Sequence, residues 1–301
     1  MLAGGGAVRK NAEDVLLERL LKLVPLPEKG LLGPGDDCAA IPCGGDLLLL
    51  KTDCVAEGVH FTRDQDPSKV GWKALCRPLS DLAAMGGVPG EALITFFSPP
   101  DIGSEFWVAF YRGIGRAARK FGVTVAGGEM SRQPAGIAVS VMVTGRVSRR
   151  DMVKRSGASS GDFIFVTGRL GGAGGRHHLN FIPRLKEGRW IAMHRYATAM
   201  MDLSDGLGAD LPRLARASAC GFEIDKDSVP RRRGCDVRSA LSDGEDYELL
   251  FTCSPKKAER LNAEWKQAFP KTLLTRIGRM THARNLPSGW PGGWDHFSDS
   301  H

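Results

Sequence analysis

The chain has no CxxC pair, no apolar run approaching the ~20 residues that cross a bilayer, and few aromatic residues, 7% of the total. Each shortage excludes something. Seven cysteines, scattered at 38, 43, 54, 76, 220, 235 and 253, match neither a disulfide framework nor a zinc pattern and read as buried thiols in a reducing compartment. The adjacent His177 and His178 lack i,i+4 spacing and neighbouring cysteines, so no zinc site is expected there. The opening stretch MLAGGGAVRKNAEDV lacks the apolar centre of a secretory signal, and the expectation is a cytoplasmic protein with no membrane partner. Neither an internal repeat nor a low-complexity segment is present.

The charge is unbalanced but uninformative about a particular partner. Forty-one Lys and Arg against 34 Asp and Glu give a net charge of +7, which favours anionic partners in general. Two basic clusters, Arg146 to Arg155 and Arg231 to Arg233, contain no aromatic residue. Nucleic-acid recognition calls for a basic stripe with interleaved aromatics, so no nucleic-acid partner is expected. A length of 301 residues, 42% hydrophobic, suits two domains of about 150 residues each.

What the chain does have is a recurring acidic turn. In Leu47 to Phe61, LLLLKTDCVAEGVHF, an apolar strand runs into Thr52 and Asp53 and breaks at Gly58, with Glu57 and His60 close behind. Similar acidic turns recur in GPGDDC at 33 to 38, LSDLAAMGG at 79 to 87, GGEMSR at 127 to 132 and MDLSDGL at 201 to 207. Around them, spacing predicts helices over 13 to 24, 67 to 86, 103 to 121, 207 to 218 and 255 to 269. Pro78 predicts a kink or restart before Ser80-Asp81, and Pro212 is similarly awkward. Strands are expected over 91 to 97, 123 to 126, 137 to 147, 163 to 167 and at the end of 242 to 251. The basic, polar segment 148 to 161 marks a domain boundary, giving units 1–148 and 149–301. The glycine run GRLGGAGG at 168 to 175 lacks the Lys-Ser/Thr ending of a P-loop and reads as a flexible turn.

Asp36, Asp37, Asp53, Asp81, Glu129, Asp202 and Asp205 form the set of turn and strand-end acids. So many carboxylates converge only if cations accompany them, because close like charges raise one another's pKa. Mg²⁺ meets that need with oxygen ligands, retained waters and substrate phosphates, which suits phosphoryl transfer.

The motifs GPGDDCAAIP, KTDCVAEGVHF, GWKALCRPLSDLAAMGGVP, KRSGASSGD, MDLSDGL and GEDYELLF, in this order and at these separations, resemble the thiamine-monophosphate kinase family of the AIR synthase-related superfamily. The resemblance runs from about Gly33 to the final WDHF. It implies an α/β (α+β) fold of two AIR synthase-like domains, the N-terminal mixed sheet pairing with a second subunit into a barrel. The implied reaction is direct, in-line phosphoryl transfer from ATP to thiamine monophosphate, with Mg²⁺, giving thiamine diphosphate and ADP in a homodimer. Carried over by motif, Asp36, Thr52, Asp53, Asp81, Glu129, Asp202 and Asp205 would hold Mg²⁺, with Asp53, Asp81 and Asp205 at the reacting phosphates. Tyr111, Gly128, Glu129, Arg155 and Ser204 would lie on the ATP side. His60, Glu245 and Trp294 would contact thiamine monophosphate, although Trp290 serves a cation–π contact to the thiazolium as well as Trp294 does.

Two departures from the family pattern bear on the metal. Glu129 stands where the family has Asp, and its extra methylene moves a ligand oxygen outward. Lys51 stands where a small hydroxyl residue is usual. If its backbone carbonyl faces the site little changes, whereas a side chain in the site supplies a charge that replaces part of one Mg²⁺. Two neighbouring functions stay open: another ATP-dependent enzyme of the superfamily, and a catalytically weakened nucleotide- or thiamine-phosphate-binding homologue.

Overall fold

A computed structural model describes residues 12–27, 32–173, 175, 177–283 and 290–294. Helix α1 (Ala12–Leu21) precedes strands β1 (Ala39–Cys43) and β2 (Asp46–Ala56), helix α2 (Pro67–Ala84), strand β3 (Val88–Ser98), helix α3 (Ser104–Phe121), and strands β4 (Thr124–Arg132) and β5 (Ala138–Ser148). The second half runs β6 (Phe163–Thr167), α4 (Leu185–Met193), β7 (Ala197–Asp202), α5 (Leu207–Ala217), β8 (Gly221–Ile224), α6 (Val237–Ser242), β9 (Leu249–Cys253), α7 (Pro255–Ala268) and β10 (Leu274–Thr281). Short 3₁₀ turns lie at His177–Leu179 and Lys226–Ser228.

The strands form two five-stranded sheets. The first has the order β1-β2-β5-β3-β4, antiparallel except for the β3–β4 pair, and is therefore mixed. The parallel pair is joined by α3, the crossover that parallel strands require. The second sheet has the order β7-β9-β6-β10-β8 and is antiparallel throughout. Among the described residues, no helix is long and apolar enough to cross a membrane.

Alternation along β2 decides which side chains meet α2. Leu47, Leu49 and Val55 are buried, so the odd positions face the helix layer and the pleat sends Lys51 and Asp53 the same way. Even positions look outward, and Thr52 Oγ1 lies 3.2 Å from Ser140 Oγ on that open side. Asp53 thus sits inside the strand, three residues before its end at Ala56, rather than at a strand terminus.

Helix α2 is the hub of the molecule. Val70, Leu75, Leu79 and Leu82 join the first core, while Ala83 and Ala84 belong to a cluster with Phe165, Ile191 and Phe251 of the second half. Its crossing with α3 is close because Gly71 and Gly113 meet the other helix's backbone: a Cβ on Gly71 would lie 2.0 Å from the Phe110 carbonyl oxygen. The helix runs unbroken through Pro78, without the expected restart. Losing one N–H bond and meeting the ring costs about 3 kcal/mol, which burial of fourteen of its residues outweighs. Pro212 lies within α5 in the same way.

Two further expectations are corrected. The stretch 127 to 132 is not a turn: β4 continues through it to Arg132, and all nine of its residues are exposed. Gly128 is there because a Cβ would lie 1.8 Å from the Ile94 carbonyl oxygen, so this glycine marks a close strand approach. Helix α1 ends at Leu21, and Val15, Leu16 and Leu20 remain exposed instead of covering a core. It is tied to α5 by charge, with Asp14 Oδ2 accepting from Arg216 Nη1 at 3.1 Å.

Candidate active site

Three carboxylates from distant parts of the chain converge where the two halves meet. Asp37 comes from the turn before β1, Asp81 from α2 and Asp202 from the last position of β7, and each offers an oxygen within 4.8 Å of the others. They are 2%, 5% and 2% exposed. Burial, with the Asp37 charge second, pushes the Asp202 carboxyl up to about 7. Burial likewise drives Asp81 well above the carboxylate range, against the pull of Lys51. Asp37 Oδ1 accepts from Arg155 Nη2 at 2.8 Å and Nε at 3.2 Å. Its Oδ2 is buried and has no hydrogen-bond partner among the described residues. Asp36 points elsewhere, accepting from the backbone N–H of Arg155, and burial followed by the Asp37 charge raises it to about 6.

Basic side chains enter this group from both layers. Lys51 Nζ lies 2.7 Å from Asp81 Oδ1. The lysine side chain therefore lies in the site, which decides between the two alternatives left by the sequence. Arg77, one helical turn before Asp81, places Nη2 3.7 Å from Asp53 Oδ1 and Nη1 4.0 Å from Glu245 Oε1. Its Nε and Nη1 are buried without a hydrogen-bond partner among the described residues.

Beside the acids opens a cleft of about 190 Å³ lined by Val59, His60, Arg77, Ser204, Asp205, Asp243, Glu245, Tyr247 and Trp294. Backbone bonds hold it together: the N–H groups of Glu245 and Tyr247 donate to the carbonyls of Ser204 and Leu203, and that of Trp294 donates to Asp205. This stitching is why MDLSDGL and GEDYELLF, forty residues apart, form one wall. Glu245 and Tyr247 have φ of 53° and 50°, left-handed conformations that non-glycine residues adopt at a cost of order 1–3 kcal/mol and that cluster at binding sites.

Behind that wall lies a buried lysine. Lys73 is 0% exposed, and Nζ lies 2.6 Å from the His60 carbonyl oxygen, His178 Nδ1 and Glu245 Oε1. Burial lowers Lys73 to about 8 against the attraction of Glu245. Burial also opposes the charge on Glu245, but the hydrogen bond from His178 and the charge of Lys73 outweigh it and bring the carboxyl down to about 2. His60 accepts at Nδ1 from the Ala56 N–H at 3.1 Å.

Of the residues expected from motifs, Asp81 and Asp202 lie in the three-carboxylate group, and Asp53 is near enough for its charge to act on Asp81 and Lys51. His60, Ser204, Asp205, Glu245 and Trp294 share the cleft. The Asp205 carboxylate is engaged by Arg213, which also binds the buried Asp210. Glu129 lies on the exposed strand β4, accepting from the Met130 N–H, and Tyr111 stands on α3, 39% exposed, against Phe96. Neither they nor Asp36, Thr52 or Gly128 join the three-carboxylate group. Trp290 packs edge-on to Phe222 and donates to the Gly208 carbonyl, leaving Trp294 as the tryptophan of the cleft. The rest of WDHF lies outside the described residues. Sequence reasoning missed Lys73, Arg77 and His178; a lysine and an arginine inside the apolar helix stretch GWKALCR were the available signal.

Comparison with known proteins adds a relationship to this geometry. Residues 35–147 match the N-terminal domain of AIR synthase related proteins and residues 183–286 match their C-terminal domain. The thiamine-monophosphate kinase of Aquifex aeolicus is 35% identical over 297 residues, covering 87% of this chain and 92% of that protein. That of Rhodopirellula baltica is 33% identical over 275 residues, covering 85% of each. The structure of AaThiL complexed with AMPPCP and TMP superposes with a TM-score of 0.80 at 31% identity, covering 95% of this chain and 97% of that one. With the converging acids, the adjoining cleft and relatives matched over most of their length, the chain belongs to the thiamine-monophosphate kinase family of AIR synthase-related proteins.

Proposed function

We propose that this protein is a thiamine-monophosphate kinase, transferring the terminal phosphoryl group of ATP to thiamine monophosphate to give thiamine diphosphate and ADP. The observation that carries the reading is adjacency. Helix α2 supplies both Asp81 of the acidic group and Arg77 of the cleft, and the β7–α5 turn supplies both Asp202 and the cleft residues Ser204 and Asp205. A phosphate acceptor seated in the cleft is thereby brought beside the place where anionic charge must be neutralised.

The donor set fits Mg²⁺. It consists of hard carboxylate oxygens, and the Oδ2 of Asp37 is buried with no hydrogen-bond partner among the described residues. Asp37, Asp81 and Asp202 would hold the ion, which when bound supplies charge neutralisation to the phosphates. The chain's own groups orient the reactants. The Trp294 ring lines the cleft as a π face for a cationic heterocycle, the Glu245 carboxylate adds negative charge, and His60 closes the inner wall. Arg77 presents buried N–H donors suited to the acceptor phosphate. The acceptor is already an anion, so transfer needs no general base and no phosphoenzyme. On the nucleotide side, Arg155 binds Asp37 and Ser204 follows Asp202 in the β7–α5 turn, while Tyr111 on α3 and Gly128 on β4 lie outside the three-carboxylate group.

The protein is further read as a cytoplasmic homodimer of two-domain chains, 1–148 and 149–301. Leu93, Phe97 and Ile41 of the first sheet are 45%, 37% and 38% exposed on the face away from α2, an apolar surface that suits a second copy. The function is tested by incubating purified protein with ATP, Mg²⁺ and thiamine monophosphate and measuring thiamine diphosphate against a no-enzyme control. Formation of the product is expected; its absence would remove the assignment.

A further inference from the structure

The acidic group carries positive charges of its own, Lys51 against Asp81 and Arg77 against the neighbouring Asp53. Lys51 and Asp53 share the inner face of β2, while Arg77 and Asp81 share a face of α2 at i,i+4 spacing. The two elements pair crosswise, Lys51 with Asp81 at 2.7 Å and Arg77 with Asp53 at 3.7 Å. Asp81 is at the same time one of the three carboxylates within mutual metal-ligand distance. An oxygen held at 2.7 Å by an ammonium has a lone pair committed, and a second cation a few ångströms away is repelled.

We propose that the Lys51 ammonium is a built-in cation of the acidic site, standing where a divalent ion would otherwise join Asp81 to its neighbours. In the absence of nucleotide the chain therefore binds one divalent ion fewer than the same site lacking the lysine. Holding Asp81 in place without metal, Lys51 acts as a positioning residue. The inference rests on the reading of this cluster as a divalent-ion site; it does not depend on which phosphate is the acceptor.

The test uses the full chain, freed of nucleotide and metal, as wild type, Lys51→Met and Lys51→Arg. Bound Mn²⁺ is counted by electron paramagnetic resonance, and Tm is measured with and without saturating Mg²⁺. Lys51→Met is expected to bind one additional Mn²⁺ per chain and to gain roughly 5 °C more from Mg²⁺ than wild type. Lys51→Arg, keeping the charge, is expected to behave as wild type. A Lys51→Met protein that folds only when a divalent ion is present supports the same conclusion. The inference is overturned if Lys51→Met matches wild type in ion number and Tm gain, if Lys51→Arg also gains an ion, or if Lys51→Met stays unfolded at saturating Mg²⁺. Failure of all three proteins to bind Mn²⁺ overturns it together with the metal reading, while thiamine diphosphate formation by wild type is scored separately.

Discussion

The ammonium of Lys51 and the Oδ1 oxygen of Asp81 are 2.7 Å apart, an ion pair between the first sheet and the helix that packs on both halves of the chain. It explains how a cluster of buried carboxylates is compatible with a folded protein before any ligand arrives. Arg155 does the same for Asp37, and Arg213 for Asp205 and Asp210. Asp202 forms no ion pair among the described residues, and its carboxyl is raised to about 7, by burial first and then by the Asp37 charge, against the weaker pull of Lys51 and Arg155.

Replacing Asp202 by Asn removes that buried charge. The metal-free protein is expected to become more stable at pH 8, by roughly 1–3 kcal/mol in urea denaturation with chelator. Thiamine diphosphate formation is expected to fall by about 100-fold or more, because a ligand oxygen's charge is gone. A variant that keeps activity would place the metal elsewhere.

The same carboxyls give a pH dependence with a defined sign. Asp202 and Asp36 have folded pKa values raised to about 7 and about 6, so between roughly pH 4 and 7 the folded state binds more protons than the unfolded one. Their contribution to stability therefore decreases as pH rises through that window. Melting curves of metal-free protein should show this fall, and saturating Mg²⁺ should flatten it. A loss equally steep with Mg²⁺ present would contradict the assignment of the cluster.

Lys73 offers a test of the cleft's inner wall. Lys73→Met leaves Glu245 without the ammonium 2.6 Å away and should cost about 3–5 kcal/mol in stability. Adding Glu245→Gln should recover part of that loss, so a double-mutant cycle should report strong coupling between the two positions. Additive effects would show that the pair is incidental.

The apolar face of the first sheet predicts an oligomer. Wild type should run as a dimer in light scattering, and Leu93→Glu with Phe97→Glu should shift it to monomer while leaving far-ultraviolet circular dichroism unchanged. A monomeric wild type would mean that this face is covered by something other than a second copy.

Much of the element pattern was legible in the sequence, because it depends on local periodicity. The apolar run of LLLLKTD and the repeated aromatics of 106 to 121 produce β2 and α3, and β6 falls on Phe163–Thr167 as its apolar run suggests. The direction of the Lys51 side chain was left open by the sequence, and the pleat of β2, with Leu47, Leu49 and Val55 buried, settled it. Local pattern failed where a distant neighbour set the outcome. Gly127-Gly128 read as a turn, whereas β4 pairs with β3 there and passes so close to the Ile94 carbonyl that only glycine fits at 128, and Pro78 read as a break until α2 was enclosed on several sides. For the site, the sequence by itself determined the inventory of acids and, through its ordered motifs, the family. Only the tertiary structure decided that Asp37, Asp81 and Asp202 meet and that Lys51 stands among them, since a carboxylate's partners are fixed by chain crossovers that no spacing along one strand or helix records.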